Sequence, residues 1–220
     1  MIGVIWRGNR WLKGPRDPVE TKIDLIAAMK YILLDVVFFR KQFKTEKATW
    51  ALIFTFHMCI AAIMFGHMRG FYWWTSSMIS FLGASIVTFM IEILPVYVGY
   101  LFIATQIVLI IRRMLFEKKK LLSSPGDYAV LVLLLTTSIL GQGTRVIPPE
   151  TIPPEVYDVT FIPGLIVLHL EKVPNDLWFS LHVLTTQLLV MYIPFSKLVH
   201  VFSGVLAPAI YGSRRKKYGV

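Results

Sequence analysis

Apolar residues along this chain gather into long blocks rather than alternating with polar ones, a pattern that predicts helices and not half-buried strands. A bilayer core about 30 Å thick is crossed by roughly 20 mostly apolar helical residues. Four stretches meet that condition: 48–68; 94–111, preceded by an apolar approach containing Gly and Ser over 71–93; 127–141, extendable at either end; and 176–202. Residues 21–44 read differently. Asp24, Lys30, Asp35, Arg40 and Lys41 interrupt them, while Leu25, Met29, Ile32, Val36 and Phe39 recur at helical spacing. This predicts an amphipathic helix lying at the membrane interface, with a solvated helix packed on the rest of the chain as the plain alternative. The expected architecture is an all-α integral membrane helical bundle with four transmembrane helices and an N-terminal interfacial helix. Its parts are a basic segment carrying that helix (1–47), a transmembrane domain (48–203) and a basic tail (204–220).

Composition agrees with a bilayer. Of 220 residues 55% are hydrophobic and only 16% charged, and the mean hydropathy is +0.62, too few polar residues to cover a soluble globule of this size. The blocky distribution favours helical spans over an outer-membrane barrel. The one cysteine, Cys59, lies inside an apolar block. It excludes an intramolecular disulfide and a thiolate-ligated cluster or zinc finger built by this chain alone. Met1 to Trp6 read as the end of a transmembrane helix meeting the basic flank Arg7, Arg10, Lys13 and Arg16, which is no secretory signal; the expectation is a further helix upstream, missing or truncated here.

The net charge of +10 is a topology signal before it is a nucleic-acid signal, because no basic stripe carries interleaved aromatics. Ten Lys and Arg precede the first span, five lie between Arg112 and Lys120, and five run from Lys197 onward, against Arg69, Arg145 and Lys172 in the remaining segments. By the positive-inside rule the N-terminal segment, the 112–126 loop and the C-terminus face the cytoplasm. The chain is therefore expected in the cytoplasmic (inner) membrane as a multi-pass protein.

Four of the five histidines fall in the first and last spans: His57 and His67, His182 and His200. One intramembrane histidine is often only a hydrogen-bonded core residue, but two in each of two helices, and none in the spans between, point to function. Antiparallel spans pair His67 with His182 toward the outside and His57 with His200 toward the inside. At 1.5 Å per residue the first two are separated by about 15 Å and the last two by about 27 Å, a mismatch left to tilt, side-chain reach and a kink at Pro194. Eighteen residues are five helical turns at 3.6 residues each, about one face for His182 and His200. Two neutral imidazoles can bind haem iron from both sides and leave no open position, which favours electron transfer over oxygen chemistry. Gly66, Gly70, Ala61 and Ala62 are small enough to admit a flat macrocycle. His169, near Glu171 and Lys172, reads as a surface histidine, with a role at an outer quinone site as the alternative.

At these residues the chain resembles a known family. Phe56-His57-Met58 through Gly66-His67-Met68-Arg69, and Leu181-His182 through Pro194-Phe195-Ser196-Lys197-Leu198-Val199-His200, are similar to the gamma subunit of respiratory nitrate reductase. Ile2-Gly3-Val4-Ile5-Trp6-Arg7 with Trp11-Leu12-Lys13, Val36-Val37-Phe38-Phe39-Arg40 and Gly204-Val205-Leu206-Ala207-Pro208 resemble more narrowly the membrane cytochrome b of the sulfite-reduction-linked (Dsr-type) complex, a relative of the heterodisulfide reductase cytochrome. The resemblance implies two b haems ligated by His57, His67, His182 and His200. It implies a function in sulfate or other anaerobic respiration: menaquinol oxidised near the outer haem and electrons passed to a cytoplasmic iron–sulfur, heterodisulfide-reductase-like subunit. Further membrane, periplasmic cytochrome c or iron–sulfur subunits are expected beside it. Nitrate-reductase members carry a lysine near the quinone where this chain has Val87 and Thr88; Glu92 is the nearest acid.

The candidate quinone site is thus Gly66, His67, Arg69 and Glu92, with quinol protons released outward. The Arg112–Lys120 loop and Arg214-Arg215-Lys216-Lys217 are either a docking surface for the cytoplasmic partner or topology signals only. A nitrate-reductase-type subunit, the same cytochrome running as a quinone reductase, a histidine-lined metal-ion transporter and an anchor without its own cofactor are the rival readings. Transporter sites usually add midplane carboxylates, and none lies near His57 or His200.

Overall fold

A computed structural model describes residues 3, 5–6, 9–10, 13, 25–67, 76–116, 123–147, 164 and 176–200 of the chain. Among them every regular element is helical. Four helices are long and apolar enough to cross a membrane: Lys47–His67, Ala84–Leu115, Pro125–Val146 and Leu177–Phe195. They coincide with the four apolar blocks. Polarity is inverted relative to a soluble protein, for Phe81, Tyr97 and Met191 are exposed while Thr105, Gln106, Thr137 and Gln142 are buried. In hydrocarbon, apolar side chains have no reason to hide, and it is the polar groups that seek one another.

The chain divides into two units, residues 1–54 with 190–220, and residues 55–189. In the first unit, α1 (Leu25–Tyr31) opens into a π-helical stretch over Ile32–Val37, and α2 (Arg40–Thr45) follows. The single amphipathic helix expected over 21–44 is broken at Phe39, which holds the left-handed conformation at φ 48°, costly for a bulky residue. The break has local causes: the carboxylate of Asp35, only 5% exposed, accepts from Arg40 Nε at 2.8 Å, and Trp50 Nε1 donates to the Phe38 carbonyl at 2.8 Å. Residues 21–24 lie outside the described residues.

The first span is α3 (Lys47–His67). In the second unit α4 (Ser76–Leu82) ends at Gly83, whose φ of 88° separates it from α5 (Ala84–Thr88). A π-helical turn over Phe89–Ile93 leads into α6 (Leu94–Leu115), with Pro95 in its first turn. Proline cannot donate to the carbonyl four residues back, here Ile91, and crowds it, which accounts for the widened turn. The second span is thereby longer than the 94–111 expected, because the apolar approach continues the helix.

α7 (Pro125–Val146) begins with Pro125 at its first position, where the missing N–H costs nothing. There the Asp127 carboxylate accepts from the Ser124 N–H at 2.9 Å. α7 runs five residues beyond the expected 141 because its polar end finds partners on the preceding span: Gln142 Nε2 donates to the Val96 carbonyl at 3.0 Å, and Arg145 Nη1 to that of Ile91 at 3.1 Å. Farther along the same pair, Gln106 Nε2 donates to Ser138 Oγ at 2.9 Å, and Arg113 lies 3.9 Å from Asp127. α8 (Leu177–Tyr192) is capped by Asp176, whose carboxylate accepts from the Phe179 N–H at 3.0 Å.

The last span does not continue as one helix to 202. After α8 come 3-10 turns over Ile193–Phe195 and Lys197–Val199, with Ser196 extended between them. Pro194 sits in the first of these turns; the helical register is lost at Ser196, so five even turns do not connect His182 to His200. Residues 201–220 lie outside the described residues.

Candidate functional site

The second unit brings two of the four histidines together. His67 is the last residue of α3 and His182 lies in the second turn of α8. Their ring centroids are 6.4 Å apart with the planes tilted by 33°. His67 Nδ1 is 2.8 Å from the Ile63 carbonyl oxygen, one turn back on its own helix. His182 Nδ1 is 2.9 Å from the Thr137 carbonyl oxygen on α7. A carbonyl oxygen only accepts, so Nδ1 is the protonated nitrogen in both rings. In the neutral imidazole Nε2 then bears the lone pair, the tautomer of a metal ligand whose orientation is fixed from behind.

This arrangement fits a bis-imidazole iron centre. Metal–imidazole bonds of about 2 Å on each side, with each ring centre about 1 Å beyond its nitrogen, give a centroid spacing of about 6 Å, which the observed 6.4 Å matches. Among the described residues no group of three or more His, Cys, Asp or Glu converges. The donor set is a pair of imidazoles, suited to a metal whose remaining positions are filled by a macrocycle.

The inner couple expected from sequence is not described as one site, because His57 and His200 belong to different units. His57 is half-buried on α3; its neighbour Phe56 packs on Phe102 of α6 at 5.2 Å. Along the unbroken α3, ten residues separate His57 from His67 by about 15 Å and about 80° of rotation. His200, exposed, follows the second 3-10 turn, and its Nδ1 is 2.7 Å from the Lys197 carbonyl oxygen. It shows the same tautomer as His67 and His182.

Of the candidate quinone residues, Gly66 stands beside His67. A Cβ added there would meet only Pro95 Cγ, at 3.9 Å, so its small size is not sterically demanded by the neighbouring helix. Glu92 is exposed on the π-helical turn, next to Ile91, whose carbonyl Arg145 engages. Arg69 and His169 lie outside the described residues, as does most of the segment 142–175 expected on the outer side. Sequence reasoning missed three contributors. Thr137 supplies the carbonyl behind His182, Gly141 touches the ring of His182, and Arg145 was read only as a flanking charge. The legible signal was Gly141-Gln142-Gly143, two glycines in a helix where each is costly unless something approaches closely.

A 26% identical relative is the Hdr-like menaquinol oxidoreductase cytochrome b-like subunit of Archaeoglobus fulgidus, matched over 193 residues, 80% of this chain and 58% of the relative. The chain thus spans less than two thirds of that protein's length. No solved structure gives a significant match. The family model of the nitrate reductase gamma subunit matches residues 41–217, the stretch that holds all four spans and His57, His67, His182 and His200, and this multi-pass membrane chain is a member of the nitrate reductase gamma subunit family.

Proposed function

We propose that the chain is the membrane cytochrome b subunit of a menaquinol-oxidising complex, holding one b haem between His67 and His182 and a second between His57 and His200. The observation that carries this reading is the neighbouring imidazole couple, ring centroids 6.4 Å apart, with each Nδ1 anchored on a main-chain carbonyl. Membership of the family and the relative's name support it. When bound, haem supplies a one-electron carrier inside the bilayer, which no side chain of the chain can provide.

The remaining work falls to the chain. Carbonyls of Ile63, Thr137 and Lys197 hold the ligand rings in the binding tautomer. Menaquinol binds beside Gly66, His67 and Arg69, where Glu92 accepts a proton and passes it to the outer side. Arg145, one helical turn beyond Gly141, fixes the turn that carries Glu92. The basic Arg112–Lys120 loop and the C-terminal basic run dock a cytoplasmic iron–sulfur subunit of the heterodisulfide-reductase-like, sulfite-reduction-linked type.

The visible spectrum of the purified subunit tests this. The expected result is paired b-type bands that sharpen on dithionite, with His182→Ala losing one centre and quinol oxidation, and His57→Ala losing the other. A colourless protein, or either variant keeping two haems, overturns the assignment.

A further inference from the structure

We propose that Gly141 and the main-chain carbonyl of Thr137 form a seat on α7 that sets the plane and tautomer of His182, making Gly141 a positioning residue for that centre. This rests on the reading of His182 as a haem ligand. In a helix the N–H of residue 141 bonds the carbonyl of residue 137, and the side chain at 141 normally flanks that carbonyl. Glycine leaves the flank open. The imidazole of His182 fills it: a Cβ at 141 would lie 2.7 Å from its Cε1 and 3.0 Å from its Nδ1, while Nδ1 reaches the Thr137 oxygen at 2.9 Å.

The same construction repeats one turn away. Trp178, four residues before His182 on α8, packs against Gly143 so closely that a Cβ there would clash with Cε3, Cδ2 and Cζ3 of the indole. Gln142, between the two glycines, points to the other neighbour, with its Nε2 on the Val96 carbonyl of α6. Trp178 and His182, one turn apart on α8, thus pack against two glycines only two residues apart on α7, and the polar residue between those glycines ties α7 to α6. Any side chain at 141 lifts the ring off its acceptor.

A hydrogen bond on the far nitrogen makes an axial imidazole a stronger donor to iron and favours the oxidised state. Gly141→Ala therefore raises the midpoint potential of the centre that His182→Ala abolishes, and changes its low-spin ferric EPR signal, while the other centre stays as in wild type. Because Gly141→Ala risks misfolding, a His182→Gly variant supplied with free ligands reads the same bond independently. Imidazole, which can donate to Thr137, restores the centre about tenfold more tightly than 1-methylimidazole, which cannot. Wild-type signals in Gly141→Ala, or equal rescue by the two ligands, overturns the seat. A wild-type protein without haem instead removes the reading on which it rests.

Discussion

At the scale of single residues, the interior of this chain is held by polar groups whose partners lie on the next helix. Gln106 is fully buried; its Nε2 bonds Ser138, and among the described residues no donor reaches its Oε1. A buried acceptor without a donor offsets much of what the amide bond contributes. Gln106→Leu is therefore expected to change stability by less than about 1 kcal/mol, in line with the small average worth of interhelical hydrogen bonds in membranes. Gly143→Leu, by contrast, forces Trp178 out of its place and costs about 1–3 kcal/mol, as overpacking does. Unfolding of both variants in mixed micelles, followed by Trp fluorescence, measures the difference. The histidines were legible at this scale because ionisable residues stand out in apolar blocks. Thr137 was not, since it acts through a carbonyl that every residue possesses.

At the scale of elements, apolar length located the spans to within a residue where the block was clean, as in α3, and failed where tertiary partners override the local pattern. Gln142, Thr144 and Arg145 looked like a loop, yet the helix runs through them because α6 and the π-helical turn before it offer carbonyls to two of the three. The apolar approach over 71–93, with its Gly and Ser, was read apart from α6, whereas from Ala84 the chain is helical and only widens by one turn before Pro95. Pro95→Ala restores a donor for Ile91, lets that turn tighten, and releases Arg145. The expected outcome is a slower quinol oxidation with haem content unchanged, since Glu92 turns with the tightened segment; quinol turnover per haem checks it. At the other end, Ser196 Oγ accepts from the Leu198 N–H at 3.1 Å and supports the turn before His200. Ser196→Ala is expected to lower occupancy of one haem and spare the centre that depends on His182, as read by redox titration.

At the scale of the whole molecule, the asymmetry of Lys and Arg predicts an orientation with the termini on the cytoplasmic side. Cys59 is only 4% exposed, so added cysteines are reported against a silent background. A membrane-impermeant maleimide is expected to label Thr151→Cys in spheroplasts and Lys119→Cys only in inverted vesicles; the reverse pattern inverts the topology. The fold class was legible from blockiness alone. The relation between the two histidine-bearing spans was less so, because Ser196 breaks a register that counting residues assumes to be even.

The exposed Phe81, Tyr97 and Met191 and the buried glutamines have one more consequence. Stripping lipid from such a molecule leaves its amide ties intact and turns a greasy exterior to water. Copies should then clump through their outer faces while each interior is still native, so cloudiness on delipidation will precede any loss of helical circular dichroism.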